Sequence, residues 1–463
     1  MTTKQINNPF DQSLLSEMQL SSSAEVEQIV DTAQRLFHDR EQRLPAYRRV
    51  EILERVIELM SSQIEELTIL AASEGGKPYM DSKAEVLRAI NGVKLSIEHI
   101  PQIKGEQIPM GHTKSSANRL AFTQQEPIGV VLSISAFNHP LNLIIHQTIP
   151  AIAVGCPVII KPAVATPLSC FRFVEILREA GLPDAWCQPL ICSNQDAEKM
   201  VSDERVSFFS FIGSARIGWM LRSKLAPGTR CALEHGGVAP VIVDKSADVD
   251  PMIDSLAKGG FYHAGQVCVS VQRVYAHESI CSEVAKKLAD KAANLVVGDQ
   301  LDPATEVGPL ISEKEADRVE EWVDEAKAKG GEVLCGGIRI SASCYSPTVV
   351  LNPPKDAKLS QLEVFGPVVC VYSYTDKEDA INQANALPYG FQASVFTNEL
   401  DDALDTSNKL NATAVMINDH TAFRVDWMPF GGRDASGIGM GGIQYSMHEM
   451  TREKMMVIKS NVL

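Results

Sequence analysis

A chain of 463 residues, 45% of them hydrophobic and 22% charged, has an ordinary soluble composition and is long enough for two or three domains around large cores. Its formal net charge of −15 argues against nucleic acid and against an anionic membrane surface as partners, and an anionic substrate would need locally placed cations. The ten cysteines occur singly with no C-x-x-C pair, so neither a zinc site nor a thioredoxin-like motif is signalled, and free thiols in a reducing, cytoplasmic compartment are expected.

The N-terminal MTTKQINNPFDQ is polar and has no apolar signal core. The first hundred residues read as helices. Ser22 and Glu25 form a capping box that opens one with Val26, Ile29, Val30, Ala33 and Phe37 on a single face. A longer helical run carries Val50, Leu53, Val56, Ile57, Met60 and Ile64, and stops near Gly75 and Gly76 with Pro78 beyond. From Gly129 short apolar runs (VVLSISA, PVIIK, QPLIC, VSFFSF) alternate with helix-like segments. Strands without polar alternation are buried on both faces, so this rhythm predicts an open parallel sheet. The longest apolar stretch, 149–160, is too short to span a bilayer and contains Pro150, Gly155 and Pro157. A second series after Glu234 (VIVDK, the helix-like ESICSEVAKKLADKAANLV, VVCVYSY, ASVFTN) predicts a second α/β domain, joined near residues 234–240.

Two residues in glycine-marked apolar sequence invite a chemical reading. Glu234 lies in CALEHGGVAPVIV and Cys268 in GQVCVSVQRV, each at the edge of a strand-like run. A thiolate could attack a carbonyl and a carboxylate could activate a thiol or a water. On residue types alone the cysteine is equally a small apolar filler and the glutamate an idle surface acid. Gly437 to Gly442 formally matches G-x-G-x-x-G, but a loop precedes it and no strand-borne acid follows at the required distance; it reads as a flexible glycine loop.

Seven motifs in one order resemble the aldehyde dehydrogenase superfamily over essentially the whole chain. They are SAFNHPLN around Asn138, VIIKPAVATP around Lys161, FIGSARIG around Ser214, LEHGG around Glu234, GQVC at Cys268, EVFGPV around Glu363 and MPFGGRDASGIG near the end. The resemblance implies NAD(P)-dependent oxidation of an aldehyde to its acid. Cys268 would attack the carbonyl to give a thiohemiacetal, whose oxyanion is held by the Asn138 amide and the Cys268 backbone N–H. Loss of hydride to the nicotinamide leaves a thioester, and Glu234 would activate the water that hydrolyses it. Lys161 would reach the adenosine ribose, Ser214 the pyrophosphate at a helix start, with Gly213 allowing close approach. Glu363 would hold the nicotinamide ribose, with Phe365 near the ring.

Departures from the family pattern narrow the reading. Val164 stands where many NAD-dependent members carry a glutamate that repels a 2′-phosphate, so NADP is expected to be accepted. His235 and His139 replace apolar residues beside Glu234 and Asn138 and read as packing variants. Val267 replaces the arginine common in phosphate-using glyceraldehyde-3-phosphate members. Glu234 itself argues against the acylating, coenzyme A-dependent branch. Arg424, counted back from PFGG, falls where relatives line the substrate tunnel; it suits a carboxylate, sulfonate or phosphate on the aldehyde, or else pairs with Asp426 or Asp419 to brace the loop. His146 is expected in the same tunnel. A betaine-type or broad-specificity enzyme, a non-catalytic scaffold and a thiol esterase are the alternatives.

The expected fold is α/β. A Rossmann-like open-sheet cofactor domain would take residues 1–106 and 128–236, and an α/β catalytic domain 237–440. A small β oligomerisation element would combine 107–127, hairpin-like around Ala117 to Glu126, with 441–463. Its apolar C-terminal strand suits a homodimer or homotetramer.

Overall fold

Runs such as VVLSI and VIIK have no alternation of polar and apolar residues that would set one face toward water, so each needs cover on both sides. The computed structural model of the chain describes residues 3–463, leaving Met1 and Thr2 outside. In it Val130–Ile134, Val158–Lys161, Cys187–Pro189, Val206–Ile212 and Arg230–Glu234 make a parallel sheet. The strand made first lies between the second and the fourth. That reversal of order opens a crevice beyond the carboxyl ends of the strands, where open α/β sheets take their ligands. The helix Asn142–Val154, every residue of it buried, covers one face together with the helices Ala46–Ser62 and Tyr79–His99. Ser23–His38 covers the other, capped as expected by Ser22 and Glu25, although Leu36 rather than Phe37 is its deepest late residue.

The chain leaves this sheet at Glu234 and enters a second one at Pro240–Val243. The order there is Glu332–Cys335, Thr348–Leu351, Val368–Tyr374, Arg273–His277, Pro240–Val243, Gln392–Phe396, Ala414–Ile417, parallel except at the first pair. Its largest core cluster gathers Val241, Leu256, Val274, Leu288, Val349 and Val371, none more than 1% exposed. Arg119–Pro127 and Thr451–Lys459 form a third, antiparallel sheet with Gln107–Ile108.

Several expectations change. Residues 3–19 are not helical: Thr3–Asn7 and Leu14–Gln19 form a hairpin, closed by a turn in which the Asn8 and Asp11 carboxamide and carboxylate accept backbone N–H groups. The long helical run breaks at Gln63 into Ala46–Ser62 and Ile64–Gly75. Arg119–Pro127 is one long strand, not a hairpin. Of the C-terminal segment only Thr451–Lys459 joins the small sheet, because the helix Ile443–Glu449 buries Ile443 and Met447 against Asn142–Val154. Nor is 437–442 a flexible loop. Gly437–Ile438 adds an antiparallel strand to Arg230–Glu234, with Gly437 opposite Glu234. At Gly437 φ is +149° and a Cβ would collide with the Leu233 carbonyl, so this glycine serves close backbone approach rather than mobility.

Candidate active site

The carboxyl edge of the first sheet faces the amino edge of the second across a cavity of about 1040 Å³. The first sheet contributes Asn138 from the loop after Val130–Ile134, Gly213 and Ser214 after Val206–Ile212, and Glu234 at the end of its own strand. The second contributes Cys268 ahead of Arg273–His277, and Glu363 and Phe365 ahead of Val368–Tyr374. Arg424 enters from the loop after Ala414–Ile417. Eight of the ten residues singled out from sequence thus share one cavity wall.

The backbone before Cys268 is strained. His263, Ala264 and Gly265 follow one another at φ of 49°, 53° and 70°, a left-handed turn costly for the two residues with a Cβ. A Cβ on Gly265 would strike the Gly366 carbonyl, so the cysteine loop is pressed against the loop that carries Glu363 and Phe365. Gln266 anchors it further: its Oε1 accepts from the Ile311 N–H at 2.9 Å, and its carbonyl accepts from Asn138 Nδ2 at 2.9 Å. A carboxamide nitrogen has two hydrogens, so Asn138 keeps one for the cavity. The helix behind Asn138 is fixed by buried Glu85, whose Oε1 accepts the N–H groups of Leu141 and Asn142 at 2.9 Å each and whose Oε2 pairs with buried Lys77.

Burial governs titration here. It drives the Cys268 thiol well above its ordinary value, reinforced by the Glu234 and Glu363 charges and partly opposed by Arg424. The Glu234 carboxyl is likewise raised by burial and pulled back by Arg424. Glu363 is pushed up to about 8 by burial. Its carboxyl sits where a Cβ on Gly236 would be, and its buried Oε1 has no partner within the described residues.

These features fit a bound dinucleotide. An orphaned, inward carboxylate suits ribose hydroxyl donors. Ser214 is the N-cap of Ala215–Arg222 but makes no capping bond, which leaves its hydroxyl and the helix N–H groups for a phosphate. Arg216, in the first turn of that helix, lines the cavity and makes no ion pair among the described residues. Sequence reading passed over it, although a cation in a first helical turn is itself a signal, since that end of a helix favours acids. Lys161 falls differently. It ends its strand buried, its ammonium pulled down by burial, and Ala163 instead of Lys161 reaches the wall.

His146 does not line the main cavity either. It is buried in Asn142–Val154 with Nε2 2.8 Å from Asp426 Oδ1 and Nδ1 3.4 Å from Arg424 Nη2. Burial and the neighbouring Arg424 lower its pKa to about 4, so a neutral ring donates to Asp426 and accepts from Arg424. Neither bracing pair forms. Asp426 is taken by Arg88, at 2.7 and 3.1 Å, and Arg424 lies over the Phe430 ring at 3.6 Å with its Nε unpartnered. Burial alone would raise Asp426, but His146 and Arg88 hold it far below the carboxylate range. Arg88, which also lines the cavity, was missed because nothing in its own helix marks it. His235 is a packing residue: its Nδ1 lies 2.9 Å from the Gly213 carbonyl and its ring sits between Phe211 and Trp219. Among the described residues no group of His, Cys, Asp or Glu could hold a metal, and no helix is long and apolar enough to cross a membrane.

A model of the aldehyde dehydrogenase family matches residues 2–456. The 3-sulfolactaldehyde dehydrogenase of Priestia aryabhattai is 37% identical over 455 residues, covering 98% of this chain and 94% of that protein. The lactaldehyde dehydrogenase of Methanocaldococcus jannaschii is 36% identical over 456 residues, covering 97% and 96%. Aldehyde dehydrogenase 21 from Physcomitrella patens, in complex with the reaction product succinate, superposes with a TM-score of 0.95 at 35% identity over 99% of this chain and 95% of that one. Glyceraldehyde-3-phosphate dehydrogenase from M. jannaschii, complexed with NADP, does so with 0.94 at 35% identity over 98% and 99%.

Proposed function

The chain belongs to the aldehyde dehydrogenase family, as an NAD- or NADP-dependent oxidoreductase acting on the aldehyde group, and from that premise we propose that it oxidises a small anionic, hydroxylated aldehyde. Cys268 is the nucleophile and Glu234 the general base. One observation carries the substrate class: Arg424 stands in the same wall as Cys268 and Glu234, and no carboxylate of the described residues pairs with it. A guanidinium left without a counter-ion in a half-buried wall suits an anionic group brought by the ligand. Arg88 lines the same wall but is paired with Asp426, which leaves Arg424 as the cation for the ligand. The names of the relatives point the same way, since one acts on a sulfonated and one on a hydroxylated three-carbon aldehyde, and a solved relative holds a dicarboxylate product.

The chain's own residues then divide the work. Cys268 gives its proton to solvent water in the open cavity, and its sulfur then adds to the carbonyl carbon, giving a thiohemiacetal. The developing oxyanion meets the free amide hydrogen of Asn138 and the backbone N–H of Cys268. NAD(P), when bound, supplies the hydride acceptor; Glu363 would hold its ribose, Ser214 and Arg216 its phosphates, and Phe365 its ring. Glu234 removes a proton from the water that adds to the resulting thioester, and Cys268 leaves as thiolate when the tetrahedral adduct collapses to the acid. The burial that raises the proton affinity of Glu234 suits it to act as a base in this step. Three positions after Lys161 stands Val164 and not an acid that would repel a 2′-phosphate, so we infer that NADP is accepted. We further infer a homodimer or homotetramer, assembled through the exposed face of Thr451–Lys459.

The test is a rate panel of neutral, anionic and trimethylammonium aldehydes, each with NAD and with NADP, for the unchanged protein and for Arg424→Ala. Anionic aldehydes should lead, and the variant should lose roughly ten- to a hundredfold in kcat/KM for them alone, the range for a charge-assisted hydrogen bond. Indifference to aldehyde charge would sink the substrate assignment. At least tenfold better kcat/KM with NAD would sink the NADP reading.

A further inference from the structure

Asparagine at the start of a helix ordinarily caps it, its side-chain oxygen taking one of the free backbone N–H groups. Asn142 opens the helix Asn142–Val154 and does no such work, because Glu85 Oε1 already takes the N–H groups of Leu141 and Asn142. The Asn142 side chain is buried, 2% exposed, and its Oδ1 has no partner among the described residues. A buried carboxamide oxygen left alone costs stability that a leucine of nearly the same volume would not. Asn142 nevertheless stands in the wall of the main cavity, together with Asn138, His139 and Leu143. The unused acceptor borders the space that the aldehyde fills.

Its place along the helix gives that acceptor a use. Asn138 comes one turn earlier, on the segment leading in, where the Leu143 N–H already bonds to the His139 carbonyl at 3.1 Å. His146 comes one turn later and accepts from Arg424 Nη2 at 3.4 Å. Positions i and i+4 share one face of a helix, about 6 Å apart along its axis. Asn142 thus falls between the amide that meets the carbonyl oxygen and the residue that steadies the guanidinium. Arg424 brings a second orphan to the same wall, its buried Nε. A three-carbon aldehyde with its carbonyl at Cys268 and its anion at Arg424 carries its middle carbon past this point. A hydroxyl on that carbon has a hydrogen for Oδ1 and lone pairs for the carboxamide N–H groups.

We propose that Asn142 reads the 2-hydroxyl of the substrate. With Cys268 and Arg424 it completes a three-point contact that selects one enantiomer of a 2-hydroxy aldehyde. This rests on the reading of Cys268 as nucleophile and of Arg424 as the partner of the substrate's anion. Three fixed points define a hand at the carbon that bears the hydroxyl. When the two ends of the wrong enantiomer are held, its hydroxyl points away from Asn142. An aldehyde that lacks the hydroxyl leaves Oδ1 unpaired beside a bound ligand, and a site built to bond a hydroxyl rejects such an analogue. Asn142 takes no part in the making or breaking of bonds to carbon; it chooses which aldehyde is oxidised.

Two series that differ only in the hydroxyl supply the test, read as kcat/KM at saturating cofactor. One sets both enantiomers of lactaldehyde against propanal, the other both enantiomers of 3-sulfolactaldehyde against 3-sulfopropanal. One enantiomer of 3-sulfolactaldehyde should exceed both its mirror image and 3-sulfopropanal by about tenfold, the scale of one hydrogen bond. In Asn142→Leu, or in Asn142→Ala should the first fail to fold, both ratios should fall toward one. Ratios are the readout because a general disturbance of the helix lowers every rate alike and leaves them intact. Folded variants that keep the ratios, or an unaltered protein blind to hydroxyl and hand, would overturn the assignment. Arg424→Ala is the marker for the underlying reading: it should cost the sulfonated series its advantage over the uncharged one. If it costs nothing, the anion reading falls, while the lactaldehyde-to-propanal ratio still decides the hydroxyl contact. Turnover of neither series would bring down the active-site reading and this one with it.

Discussion

The Cys268 thiol is held well above its ordinary value by burial first and by the Glu234 charge second. A raised thiol pKa means less thiolate at neutral pH, and the thiolate is the form that reacts. Alkylation of Cys268 by iodoacetamide in the protein alone, followed on its own peptide by mass spectrometry, should therefore keep accelerating beyond pH 9, the ordinary thiol value. A plateau near neutrality would show that something in the free protein already stabilises the thiolate. At this scale the sequence was informative wherever a residue's neighbours in the chain are also its neighbours in space. Asn138, Ser214, Glu234, Cys268 and Glu363 stand at strand ends within short motifs, and all line one cavity. His146 and Arg88 defeated that reading because their roles are set by Asp426, hundreds of positions away, which no local spacing reports.

The helix Asn142–Val154 places Asn138, and its start is held by a buried carboxylate from a different helix. Glu85 accepts two of its first N–H groups while neutralising Lys77, both side chains fully buried. Removing one partner of such a pair leaves an uncompensated charge, a loss of about 3–5 kcal/mol. Glu85→Ala should accordingly lower the unfolding free energy obtained from urea titration by that margin, and what folds should lose kcat as the Asn138 loop shifts. A variant of unaltered stability would mean that Lys77 finds another counter-charge. Most elements were legible because apolar runs without alternation announce buried parallel strands. The N-terminal hairpin was not, since its strands bury little and Asn8 and Asp11 define its turn through side-chain bonds. The break at Gln63 was missed as well, because the apolar period runs on through it into Ile64–Gly75.

In the whole molecule the strand Thr451–Lys459 exposes Met455, Met456, Val457 and Ile458, each between 43% and 56%. One edge of it pairs with Arg119–Pro127 and the other is open. Apolar residues on an open-edged strand are an assembly surface or an aggregation hazard. Val457→Glu should reduce the mass seen in sedimentation without unfolding the chain; an unchanged mass would remove this strand from the interface. The division into two α/β bodies could be read from the order of strands and helices. What sequence order could not convey is that the chain comes back at its end. Gly437–Ile438 pairs beside Glu234, and Arg424 and Phe430 close the cavity that Asn138 opened nearly three hundred residues earlier. The ribosome makes the site's first wall long before its last. A growing chain can finish the first five strands of its cofactor-side sheet while Cys268 is still unmade, yet it holds no closed site until the segment beyond Thr421 has emerged. The cavity around Cys268 is thus closed only by a segment made about 150 residues after the thiol itself.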